Sequence, residues 1–299
     1  MDDYLWTEDP LCMLPEQVAW LTQPQRAARV EALIAQSRGF VDAAVEEHVL
    51  SDGRTVAAKV VLFSGGNDST TLAHMFRNDV DHAAHVDTTV GIEQTRQFVR
   101  DSCADWKLPL IVQTSPREED HYRALVLEGG FPGPAMHFKM YTRLKERALE
   151  QIRNELVGNP RRERVVYIAG RRRSESKRRA GIPVSQRKGS IVWVSPLINW
   201  TKMDLNTYRL LHRPDYSTHP YDVSWGRCNV PRCRCAGVPT NKASDLIHMS
   251  GECLCGAFAS PGEREEIDEW FPVALDEVRE LEALIADRDD IPDHRKTWG

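Results

Sequence analysis

Ser64-Gly65-Gly66-Asn67-Asp68-Ser69 follows a β-branched run, Val56 to Phe63, and precedes residues that suit a helix beginning at Ser69 or Thr70. The run reads as a parallel strand buried on both faces. Gly65 and Gly66 let the backbone take positive φ and approach a ligand with no Cβ in the way. The N–H groups opening the next helix point at an anion, and the helix dipole favours negative charge there. Ser64, Ser69 and Thr70 add hydroxyl donors, and Asp68 suits either a Mg²⁺ contact or the orientation of the loop. Strand, glycine loop and helix in this order predict a phosphate site. A plain glycine turn is the alternative.

Working outward, strand-like and helix-like stretches alternate. Ala83–Val86, Leu110–Gln113, Val165–Ala169 and Ile191–Val194 read as strands, and Glu93–Trp106, Lys139–Leu156 and Leu205–His212 as helices. That alternation predicts an α/β fold with a doubly wound parallel sheet. The expected organisation is an N-terminal helical segment over 1–50, a nucleotide-binding α/β domain over 51–212, a Cys-rich segment over 213–261, and a C-terminal helix and tail over 262–299. Thr201 reads as the N-cap of the helix through Leu205, with Asp204 completing a capping-box-like pair. Trp200 reads as core packing.

Four segments together resemble the PAPS reductase branch of the PP-loop ATP pyrophosphatases. Ser64–Ser69 is similar to the Ser-Gly-Gly-x-Asp-Ser loop of that family. Val86-Asp87-Thr88-Thr89-Val90-Gly91-Ile92-Glu93-Gln94-Thr95-Arg96 resembles its Asp-Thr-Gly segment and the helix start after it. Gly170-Arg171-Arg172-Arg173-Ser174-Glu175-Ser176-Lys177-Arg178-Arg179 is similar to its Gly-x-Arg-x-x-Glu-Ser-x-x-Arg motif. Val194-Ser195-Pro196-Leu197-Ile198-Asn199-Trp200-Thr201-Lys202-Met203-Asp204-Leu205 matches its Pro-Leu-x-x-Trp-Thr helix entry. The resemblance implies a Rossmann-like PP-loop fold and an adenine nucleotide ligand, either ATP with Mg²⁺ or the sulfonucleotides PAPS and APS. The segments would converge at the carboxyl ends of the strands, where open α/β sheets bind ligands. It implies that Asp87 meets the ribose or adenine, that Arg172, Arg178 and Arg179 neutralise phosphates, and that Glu175 orients those arginines. The expected catalytic residues are Asp68 and Arg172. Two departures stand out. Asn67 replaces the lysine common in ATP-using members, and no cysteine follows Cys255, whereas assimilatory reductases end in a Glu-Cys-Gly tail.

Five of the seven cysteines, Cys228, Cys233, Cys235, Cys253 and Cys255, crowd into a C-x₄-C-x-C…C-x-C array. Two close pairs can supply four thiolates to one metal centre. Arg227, Arg232 and Arg234 would lower the thiol pKa values and offset thiolate charge. An iron–sulfur cluster and Zn²⁺ both remain open. The resemblance leans to the cluster, because some bacterial sulfonucleotide reductases and the DNA phosphorothioation sulfurtransferases carry one at corresponding cysteines. Met249–Phe258 is similar to phage-encoded members of the same family. Cys12 and Cys103 stand alone and read as packing residues.

Composition bounds the rest. The chain carries 39 Lys and Arg against 44 Asp and Glu, so it is no general magnet for polyanions. Its basic residues are concentrated instead. Arg161, Arg162, Arg164, Arg171–Arg173, Lys177–Arg179, Arg187 and Lys188 face only Glu163 and Glu175. Such a run points to nucleotide phosphate, to nucleic acid, or to a solvated basic loop. No window is apolar enough to span a bilayer and no signal core opens the chain, so the expectation is a cytoplasmic protein without a membrane partner. The leading functional expectation is an ATP-dependent enzyme that adenylates an acceptor for sulfur transfer, with a nucleic acid as one candidate acceptor and a sulfur-donor protein as partner. Reduction of PAPS or APS and a non-catalytic nucleotide- or nucleic-acid-binding module are the alternatives. The sequence gives no oligomeric state.

Overall fold

Val60, Val61, Val165, Val166, Tyr167 and Ile168 are inaccessible to solvent, as expected of strands covered on both faces. They belong to β1 (Thr55–Leu62) and β4 (Glu163–Ile168), the central pair of a six-stranded sheet. The computed structural model describes residues 9–176, 179–212 and 237–299. The other strands are β2 (His82–Val86), β3 (Leu110–Gln113), β5 (Ser185–Lys188) and β6 (Ile191–Val194), in the order β3-β2-β1-β4-β6-β5. The pairs β1–β2, β1–β4, β2–β3 and β4–β6 are parallel.

β5 departs from the expectation of a wholly parallel sheet. It runs antiparallel to β6, pairing Ser185 with Val194 and Lys188 with Ile191. Its sequence, Ser-Gln-Arg-Lys, carries no apolar signal because it forms the sheet edge and three of its four residues face water.

The helices are α1 (Pro15–Ala19), α2 (Gln23–Val45), α3 (Asn67–Phe76), α4 (Glu93–Trp106), α5 (Tyr122–Gly129), α6 (His137–Tyr141), α7 (Arg147–Leu156), α8 (Lys202–Leu211), α9 (Lys242–Leu246), α10 (Glu263–Trp270) and α11 (Asp276–Ile285). A π-helical turn over Thr142–Glu146 joins α6 to α7 into the long helix expected there. The expected C-terminal helix is two helices, because Pro272 opens a 3₁₀ turn between α10 and α11.

Alternation along the strands divides the core. Val61, Val166, Ile168, Val192 and Val194 meet Leu33 of α2, Leu72 of α3, Val99 of α4 and Leu205 of α8 on one face. Val60, Ala84, Val165 and Tyr167 meet Ala148, Leu149 and Ile152 of α7 on the other. A third cluster packs Tyr122, Leu125 and Met140 against Leu254, Leu281, Ile285 and Trp298. Each large aliphatic or aromatic side chain so buried contributes roughly 1.5–3 kcal/mol. The third cluster fixes the Cys253–Cys255 segment to the sheet domain.

Candidate functional site

The chain leaves β1 toward β2 on one side of the sheet and reaches β4 on the other, so the end of β1 opens on the reversal point where open sheets bind ligands. Gly65 takes φ +83°, and a Cβ there would stand 2.8 Å from Thr95 Cγ2. Gly66 has an ordinary φ of −74° and caps α3. Its smallness serves space: a Cβ would meet Ser250 Cβ at 3.1 Å. Only one of the two glycines therefore needs the left-handed region. The helix begins at Asn67, two or three residues before the expected start at Ser69 or Thr70. The carbonyl of Gly66 accepts from Thr70 N at 2.8 Å, Thr70 Oγ1 at 2.8 Å and Ser69 Oγ at 3.0 Å, while Ser64 and Ser69 hydroxyls lie 3.0 Å apart. The N–H groups of Asn67, Asp68 and Ser69 precede any helical acceptor and remain for an anion.

Two arginines bind the first residues of α3. Arg172 Nε donates to Asp68 Oδ2 at 2.6 Å, and Arg172 Nη1 donates to Ser174 Oγ at 3.1 Å. Arg209 Nη1 donates to Asn67 Oδ1 at 2.7 Å. Gly170 follows β4 and lets the backbone lie against α3, since a Cβ there would stand 3.3 Å from Ser69 N. The residues Ser64 through Thr70 and Arg172 thus come together.

Asp87, at the end of β2, accepts from Thr89 N at 2.9 Å and pairs with Arg96 at 3.2 Å. Glu175 forms an ion pair with Arg179. Burial raises the Glu175 carboxyl; Arg179 opposes the shift and the Asp68 charge adds to it. Arg178 lies outside the described residues, as do Cys228, Cys233 and Cys235.

A strap of residues 250–255 ties the cysteines to the loop. Asn241 Nδ2 donates to Gly65 O at 2.9 Å and lies 3.2 Å from both Thr95 Oγ1 and Ser250 O. Thr95 Oγ1 donates to Ser250 O at 2.8 Å, Ile92 N to Gly251 O at 2.8 Å, and Leu254 N to Val90 O at 2.8 Å. Gly91 makes this contact feasible, because a Cβ would meet Glu252 O at 2.5 Å. Beyond the strap, Ser250, Cys253 and Cys255 line a cavity of about 830 Å³, together with Lys145, Arg171 and Arg179. Lys145 Nζ bonds Glu252 Oε2 at 2.7 Å. Burial works against the Lys145 charge, but Glu252 and the two thiols hold the amine above its ordinary range. The two thiols share a hydrogen bond that pulls Cys255 down and pushes Cys253 up.

Two adjacent thiols beside a lysine suit half of a four-thiolate metal set. Among the described residues no group of three or more His, Cys, Asp or Glu gathers into a metal site. Asn241, Ser250, Lys145 and Arg209 have no counterpart in the sequence reading. Each acts through a contact of long sequence separation, and the only local hint was Gly91 followed far downstream by Gly251.

The phosphoadenosine phosphosulfate reductase domain matches residues 58–218, more than half of the chain. The chain belongs to that family. Within this PAPS reductase-domain protein, the matched stretch contains the loop, Asp87, Arg172 and Glu175. Among solved structures, the chain is similar to the PAPS reductase of Candida auris in a phosphate complex, at 16% identity over 64% of this chain and 87% of that one, with TM-score 0.41. It is also similar to the FMN adenylyltransferase of Candida glabrata with ATP, at 11% identity over 67% of this chain and 61% of that one, with TM-score 0.43. No curated protein matches the chain. No helix among the described residues is long and apolar enough to cross a membrane.

Proposed function

We propose that this PAPS reductase-domain protein binds ATP or a related adenine nucleotide at Ser64–Thr70 and activates an acceptor by adenylation for sulfur transfer. The observation that carries the reading is the shared strap: Ser250 stands over the phosphate loop while Cys253 and Cys255 line the adjoining cavity. Phosphate binding and sulfur chemistry are thereby neighbours.

The α3 N-terminus and loop hydroxyls bind the phosphates, and Arg172 fixes Asp68 in place. The Asp68 carboxylate oxygen that has no partner among the described residues suits a Mg²⁺ that arrives with the nucleotide, since such ions use one or two carboxylates plus substrate phosphates. Mg²⁺ supplies charge neutralisation on the phosphate chain when bound. An acceptor oxygen attacks the α-phosphorus as the bond to pyrophosphate breaks. Sulfur from a hydrosulfide donor then displaces AMP, which leaves with that oxygen; a persulfide donor would leave a disulfide that a second thiol must reduce, releasing the thiolated acceptor. The protein's part is positioning and electrostatics. Cys253 and Cys255 would hold half of an iron–sulfur cluster, or of a Zn²⁺ site, and Lys145 would offset its negative charge.

The family description favours a second reading, a sulfonucleotide bound in the same loop and reduced. Incubation of anaerobically purified protein with ATP and, separately, with PAPS and thioredoxin separates the two. Pyrophosphate release supports adenylation and sulfite release supports reduction. Neither product, together with failure to bind either nucleotide, would overturn both.

A further inference from the structure

Arg209 lies on α8, 142 residues beyond the loop side chain it holds. Besides Asn67, its Nη2 donates to Pro239 O at 3.0 Å and Thr240 Oγ1 at 3.1 Å. All three acceptors are neutral. A guanidinium carries five N–H donors, so two remain after these contacts. Among the described residues it forms no ion pair, and burial is the main influence pulling its pKa below the ordinary value, with only Asp245 acting against it. A partly desolvated cation with neutral partners is costly until an anion joins it.

The other guanidinium at the start of α3 differs. Arg172 is already neutralised by Asp68. Of the two arginines bonded to consecutive side chains of the first turn, Arg209 is the one with no carboxylate partner among the described residues. The open N–H groups and dipole of α3 favour an anion at this same place.

We propose that Arg209 is a phosphate-binding residue of the nucleotide site, held on the loop by Asn67 so that its charge meets the phosphate chain. The assignment rests on the phosphate-loop reading above and adds to it a cation from outside every recognised motif.

Calorimetric titration of the full chain with ATP, PAPS and inorganic pyrophosphate tests it. Arg209→Ala is expected to weaken ATP and pyrophosphate by about 10- to 100-fold, the range of one charge-assisted hydrogen bond or two. Arg209→Lys should keep part of the affinity. Asn67→Lys in the Arg209→Ala background returns a cation to the loop without restoring the tethers to Pro239 and Thr240. Affinity should therefore recover by roughly tenfold, while the melting temperature stays at the Arg209→Ala value. A merely structural arginine would give the opposite, with affinity and melting temperature low together in both variants. If Arg209→Ala does not fold, Arg209→Gln replaces it, keeping length and removing charge. ATP affinity within twofold of the parent in the neutral variant overturns the assignment and leaves the loop reading intact. A parent protein that binds none of the three ligands overturns both.

Discussion

Asp68 and Arg172 meet at 2.6 Å in a largely buried setting, with the Arg172 side chain 9% exposed and that of Asp68 23% exposed. Removing one partner of a buried pair costs about 3–5 kcal/mol, reduced here by the water that reaches Asp68. Asp68→Ala is thus expected to lower stability by about 2 kcal/mol and to abolish measurable ATP binding, read by urea unfolding and by titration. A variant that keeps ATP affinity would exclude Asp68 from the site. Gly66→Val should act differently, weakening ATP at least about tenfold with a smaller stability change, since its side chain would intrude between the loop and Ser250. At Cys103, burial alone pushes the thiol up to about 12. Since that value lies far above pH 8, the group stays protonated and unreactive there. Iodoacetamide at pH 8 should leave Cys103 unmodified in the native protein and label it after unfolding, as peptide mass mapping would record. Much of this residue-scale detail could be read in advance. Strand, glycines and helix advertise a phosphate loop in a dozen residues; Arg172, expected to neutralise phosphates, instead pairs with Asp68 of the loop. Asn241 and Ser250 could not be read, because a hydrogen bond across more than 150 residues leaves no local pattern.

The elements show the same division between local and distant signals. β1, β4 and β6 were legible as apolar runs with β-branched residues, because burial on both faces demands them, and β3 was legible from Leu110, Ile111 and Val112 although it lies at the sheet edge and is only partly covered. α8 was legible through its cap: Asp204 N bonds Thr201 Oγ1 at 3.2 Å, and Thr201 N bonds Asp204 Oδ2 at 2.8 Å. What the capping box did not reveal is that Asp204 has a second role. Arg29 on α2 donates to Asp204 Oδ1 from Nε at 2.9 Å and to Oδ2 from Nη2 at 3.2 Å, with both side chains nearly sealed from water. The helix start is therefore also the bolt joining α2 to α8. Thr201→Ala should cost about 1 kcal/mol, as caps do. Asp204→Ala should cost about 3–5 kcal/mol, because Arg29 is left buried and unpaired. Equal midpoints for the two variants in urea would show that the Arg29 bond contributes nothing.

Across the whole molecule, the basic run divides between the two ends of the sheet. Arg171, Arg172 and Arg179 follow β4, whereas Arg161, Arg162 and Arg164 lie at its start, about 20 Å away along a strand of this length. Arg164 is buried there against Asp52, and Arg187 approaches the same carboxylate. The second group is remote from the phosphate loop. At the loop's end, Trp298 joins the tail to the cysteine strap, donating from Nε1 to Leu254 O at 2.7 Å and packing where Gly256 has φ +79° and no Cβ. Trp298→Ala should raise amide hydrogen exchange over residues 253–257, with exchange in β1 and β4 unchanged. Equal protection of residues 253–257 in both proteins would show that the tail does not secure the strap.

The polar antiparallel strand at the sheet margin has a consequence for solubility. An open margin presents unpaired N–H and C=O groups that invite another chain to add on, and charge is one of the ways proteins discourage this. Gln186, Arg187 and Lys188 are all exposed on β5. Arg187 and Lys188, which belong to the run read from composition as a polyanion patch, are charges of the kind that discourage strand addition at such an edge. Exchanging Arg187 and Lys188 for valine would be expected to leave nucleotide binding in place while the protein aggregates on concentration or during refolding.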